Sequence, residues 1–283
     1  MAKKLIAVIG AGTIGADVAL DLAINKFTIM LKDLSDDMLD KAIERIKNSY
    51  RFTRMMKRNK SLPPLDELMQ RITPTTDYKN FQEVDLIIEN ITEDYNAKKE
   101  LYFELKKVCR DNVIFGVNTS CISITKIGAL TPNPENVIGI HFMNPVPLSK
   151  LVEVVKGFHT SDETVKRTKS FITDMNKTCV VVKDLPGFVT NRVLMLMINE
   201  CIRLVHDQVA KPKEIDIIFK LGFGHKMGPL ATADLIGLDT ILDSLSVLYE
   251  SFNDPKYGPC PLLRKMVDAE LLGRKSGRGF FEY

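Results

Sequence analysis

The feature that most restricts this chain is a glycine loop, Gly10-Ala11-Gly12-Thr13-Ile14-Gly15. It follows the apolar run Leu5-Ile6-Ala7-Val8-Ile9 and opens a segment with Ile14, Val18 and Leu22 at helical spacing. A short, apolar, β-branched run reads as a buried parallel strand, so the expected unit is strand, turn, helix. In that setting the first glycine permits the tight turn, the second lets backbone approach a pyrophosphate, and the third lets helix and strand pack closely. The helix N-terminus presents unpaired N–H groups to the phosphates. Gly10, Gly12, Thr13, Ile14 and Gly15 are therefore expected to hold a dinucleotide. Asp33 closes the second strand, 18 residues past Gly15, where a carboxylate can accept from ribose hydroxyls and repel a 2′-phosphate. NAD is thus expected over NADP, a preference that Lys32 softens slightly.

The rhythm continues. Strands are expected at Phe27–Leu31, Val84–Glu89, Val113–Val117, Val137–His141, Leu151–Val155 and Cys179–Val182. Helices are expected from Ser35 to about Arg58, over Ala97–Cys109 and over Asp162–Met175. Such alternation implies a doubly wound α/β domain, Rossmann-like, with a mostly parallel sheet and helices on both faces. After Pro186-Gly187 only helical patterns remain: Phe188–Val209, Lys213–Leu221, Leu230–Tyr249 and Leu262–Leu271. The expected division is a nucleotide-binding domain over 1–185 and an all-α domain over 186–283.

Composition removes other classes. Lys+Arg 39 against Asp+Glu 36 leaves a formal charge of +3, too small a balance to suggest a nucleic-acid or membrane surface. No stretch reaches the roughly 18 apolar residues of a membrane helix. The apolar run after Met1-Ala2-Lys3-Lys4 is too short for a secretion signal. Five scattered cysteines without a CxxC pair exclude a disulfide scaffold or a zinc ribbon and suggest reduced thiols in the cytoplasm.

Oxidising an alcohol on NAD needs a proton acceptor, and histidine suits it near neutrality. Of His141, His159, His206 and His225, the first ends a strand at the sheet's carboxyl side, where ligands bind in open α/β sheets. The next strand carries Glu153, a lone acid inside Leu151-Val152-Glu153-Val154-Val155. Buried without a partner it would be costly, and a His–Glu pair removes that cost while fixing the imidazole tautomer. His159 and His206 read as ordinary surface or structural residues, and His225 lies in a glycine-rich loop that could border a cleft.

Several separated motifs then carry a resemblance: the glycine loop, Asn118-Thr119-Ser120, His141-Phe142-Met143-Asn144-Pro145-Val146-Pro147, Lys150 to Val155, Pro186-Gly187-Phe188-Val189-Thr190-Asn191-Arg192, Met227-Gly228-Pro229, Asp234 to Asp239, and Gly273-Arg274-Lys275-Ser276-Gly277-Arg278-Gly279-Phe280. Over nearly its whole length the chain resembles the short-chain 3-hydroxyacyl-CoA dehydrogenases. The resemblance implies His141 as catalytic base with Glu153 as partner. It implies Ser120 on the substrate's 3-oxygen, reaching the cofactor region with Asn118, and Asn191 holding the acyl group. It places Glu93, Lys98 and Lys275 near the cofactor. It also implies a homodimer built on the helical domain, with apolar surface along Phe188–Val205 and Leu230–Leu248, and a substrate seated between the domains.

The acyl carrier of that family is coenzyme A, whose phosphates need cations. Arg51, Arg54, Lys57, Arg58 and Lys60 form a basic stretch that by itself reads as an ordinary solvated face; with the resemblance it becomes the candidate CoA contact. An acyl carrier protein could present the same thioester on a phosphopantetheine arm, as in glyceryl-carrier oxidation. A redox-inactive NAD-binding relative and a β-hydroxyacid dehydrogenase with a catalytic lysine are the other readings. The intact set Ser120, His141, Glu153 and Asn191 argues against the first of these, and the Asn-Thr-Ser and His-Phe-Met-Asn-Pro signatures against the second.

Overall fold

A computed structural model of the chain describes residues 5–57, 62–120 and 122–283. Two compact units emerge, Met1–Asp184 and Leu185–Tyr283.

The first unit runs β1 (Leu5–Ile9), α1 (Thr13–Ile24), β2 (Thr28–Lys32), α2 (Asp36–Met56), α3 (Leu65–Met69), β3 (Ile72–Thr75), β4 (Leu86–Glu89), α4 (Tyr95–Val108), β5 (Ile114–Val117), α5 (Ile124–Gly128), β6 (Val137–Phe142), β7 (Leu151–Lys156), α6 (Asp162–Asp174) and β8 (Thr178–Lys183). The eight strands form one sheet in the order β3-β2-β1-β4-β5-β6-β7-β8. Every pairing is parallel except β6 with β7. The chain leaves β1 towards β2 and β3, then crosses back to β4 on the other side. The crevice beyond β1 and β4 is therefore the switch point where such sheets take ligands.

Helix starts follow the side chains available. Ser35 accepts from the Met38 N–H at 3.3 Å and precedes Asp36 and Asp37 in the first turn of α2, where the dipole favours acids. Asp94 caps α4 by accepting from Ala97 at 2.7 Å. One face of α2, with Leu39, Ala42, Ile46 and Tyr50, packs with α1 and the β1–β2 layer in the main core.

The second unit is helical: α7 (Thr190–His206), α8 (Pro212–Gly222), α9 (Pro229–Ile236), α10 (Leu238–Phe252) and α11 (Pro261–Asp268). Its core is built from Ile198, Ile202, Leu230, Leu238, Ile241, Leu245, Leu248 and Leu263, all buried. Among the described residues its only β pairing is two isolated bridges near the C-terminus.

The structure corrects several sequence expectations. The helix expected over Leu230–Tyr249 is two helices, because Gly237 takes φ 104°, outside the helical region. The long helix starts at Thr190 rather than Phe188, whose own φ is 49°. Strand β3 was not expected: in Ile72-Thr-Pro-Thr only Ile72 is buried, and Pro74 is tolerated because β3 is the sheet's edge. The apolar stripe of α10 is not surface; Leu238, Ile241, Leu245 and Leu248 are buried within their own unit. The exposed apolar residues include Ile217, Ile218, Leu221 and Phe223 on and just after α8.

The third loop glycine is fixed by close packing. A Cβ on Gly15 would stand 1.8 Å from the Gly10 carbonyl oxygen. Gly15→Ala is expected to lower the unfolding free energy by about 1–3 kcal/mol, the usual cost of forcing a methyl into a filled space. A urea titration checks this, and an unchanged midpoint would contradict the packing described.

Candidate active site

The site is assembled at the carboxyl ends of β1, β4, β5 and β6. After β1, Gly10 adopts φ 90° and donates its N–H to the Lys32 carbonyl at 2.9 Å, which folds the loop over the end of β2. Gly12 is the N-cap of α1, with no side chain bonded to the helix end and no acid in the first turn. A Cβ added at Gly12 would meet nothing within 4 Å, so the free first-turn N–H groups look into open space that suits a pyrophosphate. Thr13 and Ile14 begin the helix, exposed and half-buried respectively. Asp33 stands one residue beyond β2 and holds the loop from the other side. One oxygen accepts from Ala11 at 2.6 Å and the other from Leu34 at 2.7 Å. A carboxylate has about four acceptor positions, so capacity remains for ribose hydroxyls. These residues fit a bound NAD.

The catalytic candidates meet through sheet register. On antiparallel β6 and β7, His141 and Glu153 are directly opposed. Their side chains share one face, with His141 Nδ1 3.0 Å from Glu153 Oε2. Both residues are buried, Glu153 to 3% exposure. An ionised Glu153 accepts the Nδ1 proton, which leaves the Nε2 lone pair directed away from it. On that side Ser120 Oγ lies 3.4 Å from Nε2. Imidazole lone pair and hydroxyl thus converge on one point.

Ser120 is held by its loop. Glu93 Oε1 accepts from Thr119 Oγ1 at 2.5 Å and from the Ser120 N–H at 2.9 Å. Thr119 Oγ1 in turn accepts from Ile122 at 2.9 Å. Asn118 bridges neighbouring strand ends: its amide donates to Asn90 Oδ1 at 2.8 Å, and its carbonyl oxygen accepts from the Phe142 N–H at 3.3 Å. Downstream, the Asp184 carboxylate accepts from Ser123 Oγ, the Ile124 and Thr125 N–H groups and Thr125 Oγ1, at 2.6–3.1 Å. Asn90 and Asp184 escaped the sequence reading, and Thr119 entered it only as the middle of a motif, because their work is to hold backbone and no spacing advertises it.

Lys98 is enclosed rather than presented. It is 0% exposed and its Nζ sits 2.6 and 2.8 Å from the two oxygens of Glu89, itself fully buried. Burial pushes the Glu89 carboxyl up, and the Lys98 charge opposes that shift. Glu89 also accepts from the Ile91 N–H at 2.8 Å, so the ion pair braces the loop after β4.

The remaining candidates are carried by other elements. Arg51 and Arg54 are exposed on the last turns of α2, and Arg51 donates to Asn48 Oδ1 at 3.1 Å. Lys57 is the helix C-cap and half-buried. Arg58 and Lys60 lie outside the described residues, as does Cys121. On the second unit, Asn191 is half-buried in the first turn of α7, and Lys275 reaches Asp239 with Nζ 2.5 Å from both oxygens.

Known proteins resemble the chain in both of its units. The family described as "3-hydroxyacyl-CoA dehydrogenase, NAD binding domain" matches residues 5–185, and "3-hydroxyacyl-CoA dehydrogenase, C-terminal domain" matches residues 187–283. A probable 3-hydroxybutyryl-CoA dehydrogenase of Bacillus subtilis is 44% identical, with 100% of this chain and 98% of the relative covered. The 3-hydroxybutyryl-CoA dehydrogenase of Clostridioides difficile is 42% identical over 98% of this chain and 99% of its own. The crystal structure of (S)-3-hydroxybutyryl-CoA dehydrogenase from Ralstonia eutropha superposes with a TM-score of 0.92 at 39% identity, covering 100% of this chain and 99% of that one. With both of its units matched in order and relatives aligned end to end, the chain belongs to the 3-hydroxyacyl-CoA dehydrogenase family, its NAD-binding part occupying residues 5–185.

Proposed function

We propose that the protein is an NAD-dependent dehydrogenase that interconverts 3-hydroxyacyl-CoA and 3-oxoacyl-CoA, with 3-hydroxybutyryl-CoA as the short-chain substrate. The observation that carries this reading is the buried His141–Glu153 pair, with Ser120 Oγ beside His141 Nε2, on the sheet that also carries the glycine loop. NAD, when bound, supplies the hydride acceptor. In the oxidising direction the 3-hydroxyl proton passes to His141 Nε2 while the hydride leaves carbon 3. In reduction the imidazolium returns that proton. Glu153 stabilises the charged ring and fixes its tautomer. Ser120 donates to the 3-oxygen, so negative charge developing there meets a donor already in place.

Asn118, Glu93 and Lys98 serve the cofactor side of this site, Glu93 by fixing the Ser120 loop and Lys98 by bracing Glu89. Asn191 is proposed to hold the acyl thioester, and Lys275 to assist the cofactor. Arg51, Arg54 and Lys57 are proposed to meet the CoA phosphates. The names of the relatives support CoA rather than a carrier protein. The domain division follows the two compact units. No helix among the described residues is long and apolar enough to cross a membrane. Burial pushes the Cys109 thiol up to about 12 and that of Cys201 to about 11, which favours the protonated thiols, and a cytoplasmic location is proposed. A second copy of this chain is proposed to cover the exposed apolar face on α8.

The function is tested by following NADH absorbance with 3-hydroxybutyryl-CoA, longer 3-hydroxyacyl-CoAs and a glyceryl-carrier protein in parallel. Turnover is expected on the CoA esters, and activity confined to the carrier substrate would overturn the CoA assignment. In the same assay His141→Gln should lose about 100-fold or more in kcat, the scale of a general acid–base contribution, while NADH still binds.

Asp33→Asn removes the charge that repels a 2′-phosphate, so the ratio of kcat/KM for NAD over NADP should fall by about tenfold, the scale of one lost charged contact. A native enzyme that already prefers NADP would refute this role. For assembly, sedimentation should show the native chain as a dimer and Leu221→Asp as a folded monomer. A Leu221→Asp dimer would place the interface elsewhere.

A further inference from the structure

The residue that ties the two halves of the site together is a buried lysine that neither motif nor spacing marks. Lys177 lies between α6 and β8 and is 8% exposed. Lysine is rarely buried without partners, because removing an ammonium from water costs several kcal/mol. Here Nζ donates to the Val146 carbonyl at 2.7 Å and the Ser149 carbonyl at 2.6 Å. It also stands 3.0 Å from Asp21 Oδ2, a charge contact without hydrogen-bond alignment.

Each partner has a place in the site. Val146 and Ser149 belong to residues 143–150, which join β6 to β7 and so connect His141 to Glu153. Asp21 is on α1, the helix that opens at the glycine loop. One turn earlier on the same helix, the buried Asp17 accepts from Ser49 Oγ at 2.6 Å and from the Val146 backbone. Thus Asp17 and Asp21, four residues apart on one face, both hold the His–Glu connection against the cofactor helix. Burial pushes the Asp21 carboxyl up to about 6, and the Lys177 charge beside it opposes that shift. A well-packed apolar side chain would serve stability as well or better. What the ammonium adds is direction, because two carbonyls and a carboxylate fix the segment in one place.

We infer that Lys177 is a positioning residue for hydride transfer. By tying Val146 and Ser149 to Asp21 on α1, it sets where the His141 imidazole stands relative to the glycine loop that holds the dinucleotide. This inference rests on the dehydrogenase reading above. Lys177 touches no reacting atom and acts through the connection it anchors.

The test is the full-length double variant Lys177→Met with Asp21→Asn, which removes the pair together and leaves no unpaired buried charge. Three quantities are compared with the native enzyme: kcat with 3-hydroxybutyryl-CoA, the Kd for NADH, and the downfield proton resonance of His141 Nδ1–H. The expected result is a fall in kcat of about tenfold or more, as displacement of a reacting group by about 1 Å produces. NADH affinity should be nearly unchanged, and the His141 resonance broadened. A kcat close to native overturns the inference. So does a loss that appears equally in NADH affinity, since the pair would then support the glycine loop alone. Should the double variant not fold, Lys177→Arg keeps the charge but displaces its donors; the same split between kcat and Kd is expected, and a native kcat overturns the proposal. If the native protein itself shows no turnover on 3-hydroxybutyryl-CoA, the functional reading fails. The His141 resonance, broadened or retained in the variant, still decides whether Lys177 positions the imidazole.

Discussion

A carboxylate as deeply buried as Glu153 has to be satisfied, and here an imidazole satisfies it. The contact depends on one topological event. Every other pairing in the sheet is parallel, but β7 runs against β6 and brings His141 opposite Glu153. In a ladder with period two, a slip of one residue would send the two side chains to opposite faces. The antiparallel strand is therefore what brings the imidazole and the carboxylate together. Asp17 and Lys177, the latter backed by Asp21, contact the β6–β7 connection from outside the ladder.

The polar groups at the carboxyl edge form a chain of single-purpose contacts. Glu89 and Lys98 neutralise one another in the interior and fix the loop after β4. Glu93 leaves that loop to clamp Thr119 and Ser120 after β5. Asn118 then ties the β5 end to both Asn90 and Phe142. Removing one partner from such a network leaves a buried donor or acceptor unsatisfied, which typically costs about 1–3 kcal/mol. The network therefore holds Ser120 and His141 in mutual position before any substrate arrives.

Much of this was legible in the sequence, for reasons of period and isolation. The parallel strands are apolar runs with nowhere to go but a core, and the glycine loop sits between a strand and a helix. Glu153 was conspicuous as one acid in an apolar strand. The unread parts lack such contrast. Strand β3 carries a proline and one buried side chain, so it has no periodicity to show. The break at Gly237 interrupts an otherwise continuous helical pattern, and a single glycine inside such a pattern is ambiguous until its φ is seen. Lys98 and Lys177 are charged residues in the interior, and sequence alone reads a lysine as surface. Only the placement of Glu89 and Asp21 across the fold reverses that.

Some motif residues of the second unit hold structure alone. Asp234, which opens one such motif, is 1% exposed and accepts from the Phe280 and Phe281 N–H groups and from the Tyr283 hydroxyl. A Cβ on Gly279 would stand 2.1 Å from its carboxylate, so the glycine of the terminal Gly-Phe pair is required by packing. Asp216 does similar work, accepting from Leu230 and Ala231 at the start of α9, with Gly228 packed against it. These carboxylates secure helix starts and the terminal strand of chain. His141 and Glu153, by contrast, are built into the sheet of the first unit. A carboxylate whose oxygens are spent on backbone N–H groups secures a scaffold, whereas the His141–Glu153 pair faces the Ser120 hydroxyl, and this difference in partners separates the two.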